Sequence, residues 1–89
     1  MRAFITVIGK DTVGILAKVS TKCSEFDINV TEVTQSVLQD MFVMIMFVDI
    51  SKTKISIANL SDEMTKLGES SNLKIHVMHE DIFNSMHRI

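Results

Sequence analysis

The sequence predicts an α+β domain, a two-layer sandwich in which two helices cover one face of a four-stranded antiparallel sheet in the order βαββαβ. Two segments with helical apolar spacing alternate with four of strand character in that order. The two strands that this order places centrally are also the most apolar. A length of 89 residues, 46% of them apolar, suits one domain with a two-layer core and excludes general disorder.

Residues 2–8 open the chain with Phe4, Ile5, Val7 and Ile8 and read as a mostly buried strand. From Val13 onward, Ile15, Leu16, Val19, Cys23 and Phe26 follow helical spacing, so one stripe of a helix faces a core. Thr12 is the expected N-cap, since its hydroxyl can accept a first-turn N–H, and Asp27-Ile28-Asn29 ends the helix. Residues 28–37 mix β-branched residues with Glu32, Gln35 and Ser36, as suits an edge strand. Gln39-Asp40 makes a short turn into Met41–Val48, an unbroken apolar run of eight that requires cover on both faces. Lys52 and Lys54, with Ser51, Thr53 and Ser56, read as a solvated loop and a helix cap. Ile57, Leu60, Met64 and Leu67 then mark a second helix, with Gly68 placed to end it. Residues 72–78 form a last short strand in which Leu73, Ile75 and Val77 alternate with Lys74 and His76.

This order is the split βαβ, or ferredoxin-like, arrangement, and right-handed crossovers put the first and third strands in the middle. Residues 1–79 make the single domain and residues 80–89 a tail. In the tail Ile82, Phe83, Met86 and Ile89 are spaced for a short amphipathic helix that docks on the domain or on a partner. Helices on one face leave half of the run from Met41 to Val48 uncovered. A second copy of the chain, through paired sheet edges, packed open faces or both, resolves this and predicts a homodimer.

Nine basic against eleven acidic residues give a formal charge of −2, without the electrostatic footprint of a direct nucleic-acid binder. No apolar run approaches the ~18 residues of a membrane span. The short apolar start yields to Lys10-Asp11 without a small-residue cleavage site, and the single Cys23 can form no intrachain disulfide, so the expected location is the cytoplasm.

His76 and His79 differ by an odd number and would point to opposite faces of a strand, and His87 lies in the tail. With no HxxxH or cysteine partner, these histidines imply no metal site. Cys23 sits on the buried helix stripe without a basic or histidine neighbour in sequence, which argues against a nucleophile. Met41, Met44 and Met46 read as core filling. There is no GxSxG elbow, no GxGxxG or GxxxxGK[ST] loop, and no CxxC in the first loop; Lys10 is a poor substitute for the arginine an acylphosphatase would need. No catalytic residue and no cofactor are expected.

What remains is Gly9-Lys10-Asp11-Thr12-Val13-Gly14, joining the first strand to the first helix. A helix start leaves roughly four N–H groups without intrahelical partners and carries partial positive charge, so it can receive a carboxylate or phosphate. Gly14 lacks a Cβ, which lets a ligand or another subunit approach the backbone.

The strand order, the segment Val7-Ile8-Gly9-Lys10-Asp11-Thr12-Val13-Gly14-Ile15-Leu16-Ala17 and the segment Phe26-Asp27-Ile28-Asn29-Val30 together resemble the ACT domain. The chain looks most like the small stand-alone bacterial ACT proteins of the UPF0237 family and is similar to one half of the glycine-cleavage repressor type. The resemblance implies a regulatory module that binds a small ligand, commonly an amino acid, between two ACT domains and has no catalytic activity. It implies that Asp11 meets the ligand amine, that the backbone from Thr12 and Val13 to Gly14 and Ile15 meets its carboxylate, and that Asn29 adds side-chain hydrogen bonds, from the neighbouring subunit or the same one. An acceptor beside several donors is what a zwitterion requires. Val13 stands where many ACT domains have proline, which loosens the first turn without removing donors. Binding would change assembly or contact with a regulated protein. The other reading is a ligand-free interaction and dimerisation module.

Overall fold

The computed structural model describes residues 2–10 and 14–87, with the side chains of 83, 84, 86 and 87 outside the description. The elements are β1 (Arg2–Lys10), α1 (Ile15–Glu25), β2 (Asn29–Leu38), β3 (Met41–Asp49), α2 (Ile57–Ser71), β4 (Leu73–His79) and α3 (Glu80–His87). The strands form one antiparallel sheet in the order β2-β3-β1-β4. The two most apolar strands are central and the more polar β2 and β4 are the edges, as the pattern predicts.

Alternation decides which side chains meet the helices. Ala3, Ile5 and Val7 of β1, Met44, Met46 and Val48 of β3, and Leu73 and Ile75 of β4 point to one face. There they form a single core with Ile15, Val19 and Cys23 of α1 and Leu60 and Met64 of α2. Helix α1 packs on the β2 side of the sheet and α2 on the β4 side. The other face carries three cross-strand rows read from the register: Glu32-Phe47-Phe4-Met78, Thr34-Ile45-Thr6-His76 and Ser36-Val43-Ile8-Lys74. Helix α3 packs on β1 and β4, and Arg2 donates from Nε and Nη2 to Glu80 Oε2 at 2.9 and 2.7 Å. The tail is therefore helical from Glu80 to His87, while the packing of Phe83, Met86 and Ile89 lies outside the described residues.

Two expected boundaries differ. Helix α1 starts at Ile15, two residues late, and its N-cap is Gly14 rather than Thr12. Gly14 has φ 82°, a left-handed conformation that cannot belong to the helix, so the helix begins only after it and has no side-chain cap. Thr12 and Val13 themselves lie outside the described residues. Gly68, expected to end α2, lies within it; the helix runs on to Ser71 and is capped by left-handed Asn72, whose N–H bonds the Gly68 carbonyl. Gly68 serves close approach instead, because a Cβ there would stand 2.6 Å from the Leu73 carbonyl oxygen. Ser56 caps the start of α2 as expected, its Oγ accepting the Asn59 N–H at 3.1 Å.

Helix α1 ends in a Schellman motif. Ile28 N–H bonds the Cys23 carbonyl at 2.9 Å and Asp27 N–H the Ser24 carbonyl at 3.2 Å, with Asp27 left-handed at φ 58°. Buried Ile28 supplies the accompanying apolar contact, and this turn positions Asn29 at the start of β2.

Candidate functional site

The strand-to-helix turn is held from both ends. On the strand side Gly9 is buried against β4, where a Cβ would collide with Leu73 Cδ2. On the helix side Ile15 is buried in the core, while Gly14 is exposed, and among the described residues beyond its chain neighbours none comes within 4 Å of where its Cβ would be. The first intrahelical bond runs from Lys18 N–H to the Gly14 carbonyl at 3.0 Å, so the N–H groups of Ile15, Leu16 and Ala17 have no acceptor within the helix. Leu16 and Ala17 are exposed. The helix start thus presents donors beside the exposed Gly14. Asp11, Thr12 and Val13 lie outside the described residues.

Beside the turn stands the β2–β3 hairpin. Lys10 pairs with Met41, Met41 with Leu38, and a recess of about 390 Å³ is lined by Lys10, Val37, Gln39 and Asp40. Gln39 is left-handed at φ 57°. This hairpin brings the Asp40 carboxylate to the recess that Lys10 lines at the end of β1, a juxtaposition created by the register rather than by any local motif.

Asn29 is elsewhere. It pairs with Asp49, which in turn pairs with Arg2, so it stands at the opposite end of the sheet from Lys10. Eight residue steps of β1 separate those ends by about 26 Å. There a recess of about 220 Å³ is lined by Asp27, Asn29, Asp49 and Lys52. Asp49 Oδ1 accepts from Ser51 N–H at 2.8 Å and from Ser51 Oγ at 2.5 Å, and these bonds hold its carboxyl below the usual range. The sequence pattern names Asn29 as a site residue but not Asp27, Asp49 and Lys52, which reach the recess from the α1–β2 loop, the end of β3 and the β3–α2 loop. Asp27 had a signal available: it is the polar residue that the helix end requires in a left-handed position.

An ACT domain family model matches residues 2–78. The chain belongs to the ACT domain family. A UPF0237 protein of Listeria innocua is 45% identical over 89 residues, all of either chain. The structure of an ACT domain protein from Streptococcus pneumoniae superposes with a TM-score of 0.84 at 38% identity, covering 93% of each chain. A putative glycine cleavage system transcriptional repressor shares the fold, with a TM-score of 0.72 at 20% identity over 85% of this chain and 43% of its own. ACT domains are regulatory modules that bind small molecules. No described helix is long and apolar enough to cross a membrane.

Proposed function

We propose that this ACT domain is a non-catalytic sensor of a free amino acid, bound at a site shared by two copies of the chain. Binding would be read out as changed assembly or changed contact with a regulated protein. The observation that carries this reading is the separation of Asn29 from the Gly14 turn. In one chain they are a sheet length apart. Antiparallel pairing of one β2 edge with the β2 of a second copy reverses that relation: Asn29 at the start of one strand then lies beside Leu38 at the end of the other. Leu38 adjoins the hairpin recess of Lys10, so Asn29 of one copy approaches the turn of its partner. Val37 and Leu38, 64% and 62% exposed at the end of β2, supply apolar surface for such an edge contact. In this arrangement the first-turn N–H groups take the ligand carboxylate, Asp11 its amine and Asn29 the remaining polar atoms. The lone, buried Cys23 thiol supports placing the protein in the cytoplasm.

The test is subunit complementation read by thermal shift against the amino acids. A ligand at ~100 times its Kd adds about 2.7 kcal/mol, a rise of many degrees for a domain of this size. Asp11→Ala and Asn29→Ala each abolish the rise alone. Mixed and exchanged, they regain part of it, because each heterodimer holds one site with both groups intact. No rise with any amino acid in the unmodified protein would favour the ligand-free interaction module. A rise that the mixture fails to regain would place both groups in one chain's site.

A further inference from the structure

In the proposed shared site one copy takes the amine and the carboxylate of the amino acid, and only the side chain is left for the other. With both of those groups held at the Gly14 turn, the side chain runs toward Asn29 of the second copy. It ends in the recess that Asn29 lines with Asp27, Asp49 and Lys52. At about 220 Å³ this recess has room for a small side chain.

Its lining is two carboxylates, a carboxamide and an ammonium, with no aliphatic or aromatic side chain among them. Both carboxylates are held in place by local structure. Asp27 occupies the left-handed position of the Schellman turn, and Asp49 is fixed through one oxygen, Oδ1, by the N–H and Oγ of Ser51. Among the described residues the side chains of Asp27, Asn29 and Lys52 make no hydrogen bond or ion pair. Lys52 therefore closes on neither aspartate, although such contacts form elsewhere in the molecule: Lys22 Nζ lies 3.7 Å from Glu25 and 3.6 Å from Glu63. Donors and acceptors thus converge on one small recess without satisfying one another.

That lining discriminates by chemistry. An aliphatic side chain would take water from these groups and return no hydrogen bond. A carboxylate meets two like charges, and a cation meets Lys52, whose own charge already offsets one of the aspartates. A hydroxyl or a carboxamide suits both kinds of partner, since it donates to a carboxylate and accepts from an ammonium. We infer, on the basis of the shared-site reading, that the ligand is a neutral polar amino acid, selected by Asp27, Asn29, Asp49 and Lys52 of the second copy through its hydroxyl or carboxamide.

Amino acids matched in shape and different in polarity test this by thermal shift and by titration calorimetry of the full chain. Threonine binds more tightly than valine, and asparagine more tightly than leucine, by roughly tenfold to a hundredfold, the cost of leaving such groups unpaired. Aspartate and lysine both bind more weakly than asparagine. Two substitutions then move the ranking in opposite directions. Asp27→Asn, which keeps a residue that tolerates the left-handed backbone, raises aspartate relative to asparagine, and Lys52→Gln raises lysine relative to asparagine. Both positions are exposed, and a general loss of stability cannot imitate opposite changes in preference. Valine equal to threonine and leucine equal to asparagine, a charged ligand above asparagine, or a ranking that neither substitution moves, overturns the inference and leaves the shared-site reading standing. Complementation of Asp11→Ala by Asn29→Ala tests that reading separately: its failure with the ranking intact removes the sharing and keeps the recess. No rise with any amino acid overturns both.

Discussion

Gly68→Ala sets two effects of known size against each other. In a solvated helix the change gains about 0.8–1 kcal/mol, because alanine loses less backbone entropy than glycine. Gly68, however, is buried where α2 crosses the start of β4. The added Cβ would lie 2.6 Å from the Leu73 carbonyl oxygen, and 3.4 Å from both the Leu73 carbonyl carbon and Ile75 Cγ1. An unstrained carbon-to-oxygen approach is ~3.3 Å or more, so about 0.7 Å must be found between a helix and a strand. The obstructing atom is backbone and cannot rotate aside, which puts the cost at the upper part of the ~1–3 kcal/mol range for overpacking. The net expectation is a loss of about 1–2 kcal/mol and a Tm lowered by roughly 5–15 °C. Urea unfolding followed by circular dichroism measures it, with the exposed neighbour Glu69→Ala as a control that changes little. Gly9→Ala provides the contrast: its Cβ meets Leu73 Cδ2, a methyl that can swing away, so it loses less than Gly68→Ala. A Gly68→Ala protein as stable as the parent, or more so, would show that propensity outweighs packing and that the α2–β4 contact is not as close as described.

Two other perturbations follow from the same coordinates. Gly14→Ala should lose about 1 kcal/mol in urea unfolding through its positive φ alone, since no atom crowds the site, and Gly14→Asn should lose less. Burial pushes the Cys23 thiol up to about 11 from 9.0, so the folded chain keeps its proton where the unfolded chain has lost it. The resulting stability is complete below pH 9 and is lost as pH rises through 11. The decline is on the order of 2 kcal/mol, and Cys23→Ala should unfold without that slope between pH 9 and 11.

The strand order was legible because burial left its mark on composition. Met41–Val48 is apolar throughout and takes a central place with one face in the helix-covered core, and Glu32, Gln35 and Ser36 mark β2 as an edge. Gly68 was misread for a physical reason: glycine serves both to end a helix and to admit a close neighbour. The Leu73 carbonyl that distinguishes these roles is a tertiary contact. The Gly14 cap was hidden similarly, since Thr12 satisfies the composition rule while the positive φ that delays the helix belongs to the backbone. Of the candidate site, the helix start was visible and the distance between its parts was not. Asn29 follows Gly14 by one helix in sequence, yet pairing through Asp49 to Arg2 carries it to the far end of the sheet.

That distance bears directly on how a signal would leave this domain. A site built wholly within one chain would bind its ligand equally in the free and assembled states, and equal affinity shifts no equilibrium. A site divided between the turn of one copy and Asn29 of another exists only in the assembly. Ligand at ~100 times its Kd then favours association by about 2.7 kcal/mol per site, a factor of about 100 in the dissociation constant. A domain can in this way report a small molecule without changing its own fold, because what responds is the number of copies held together.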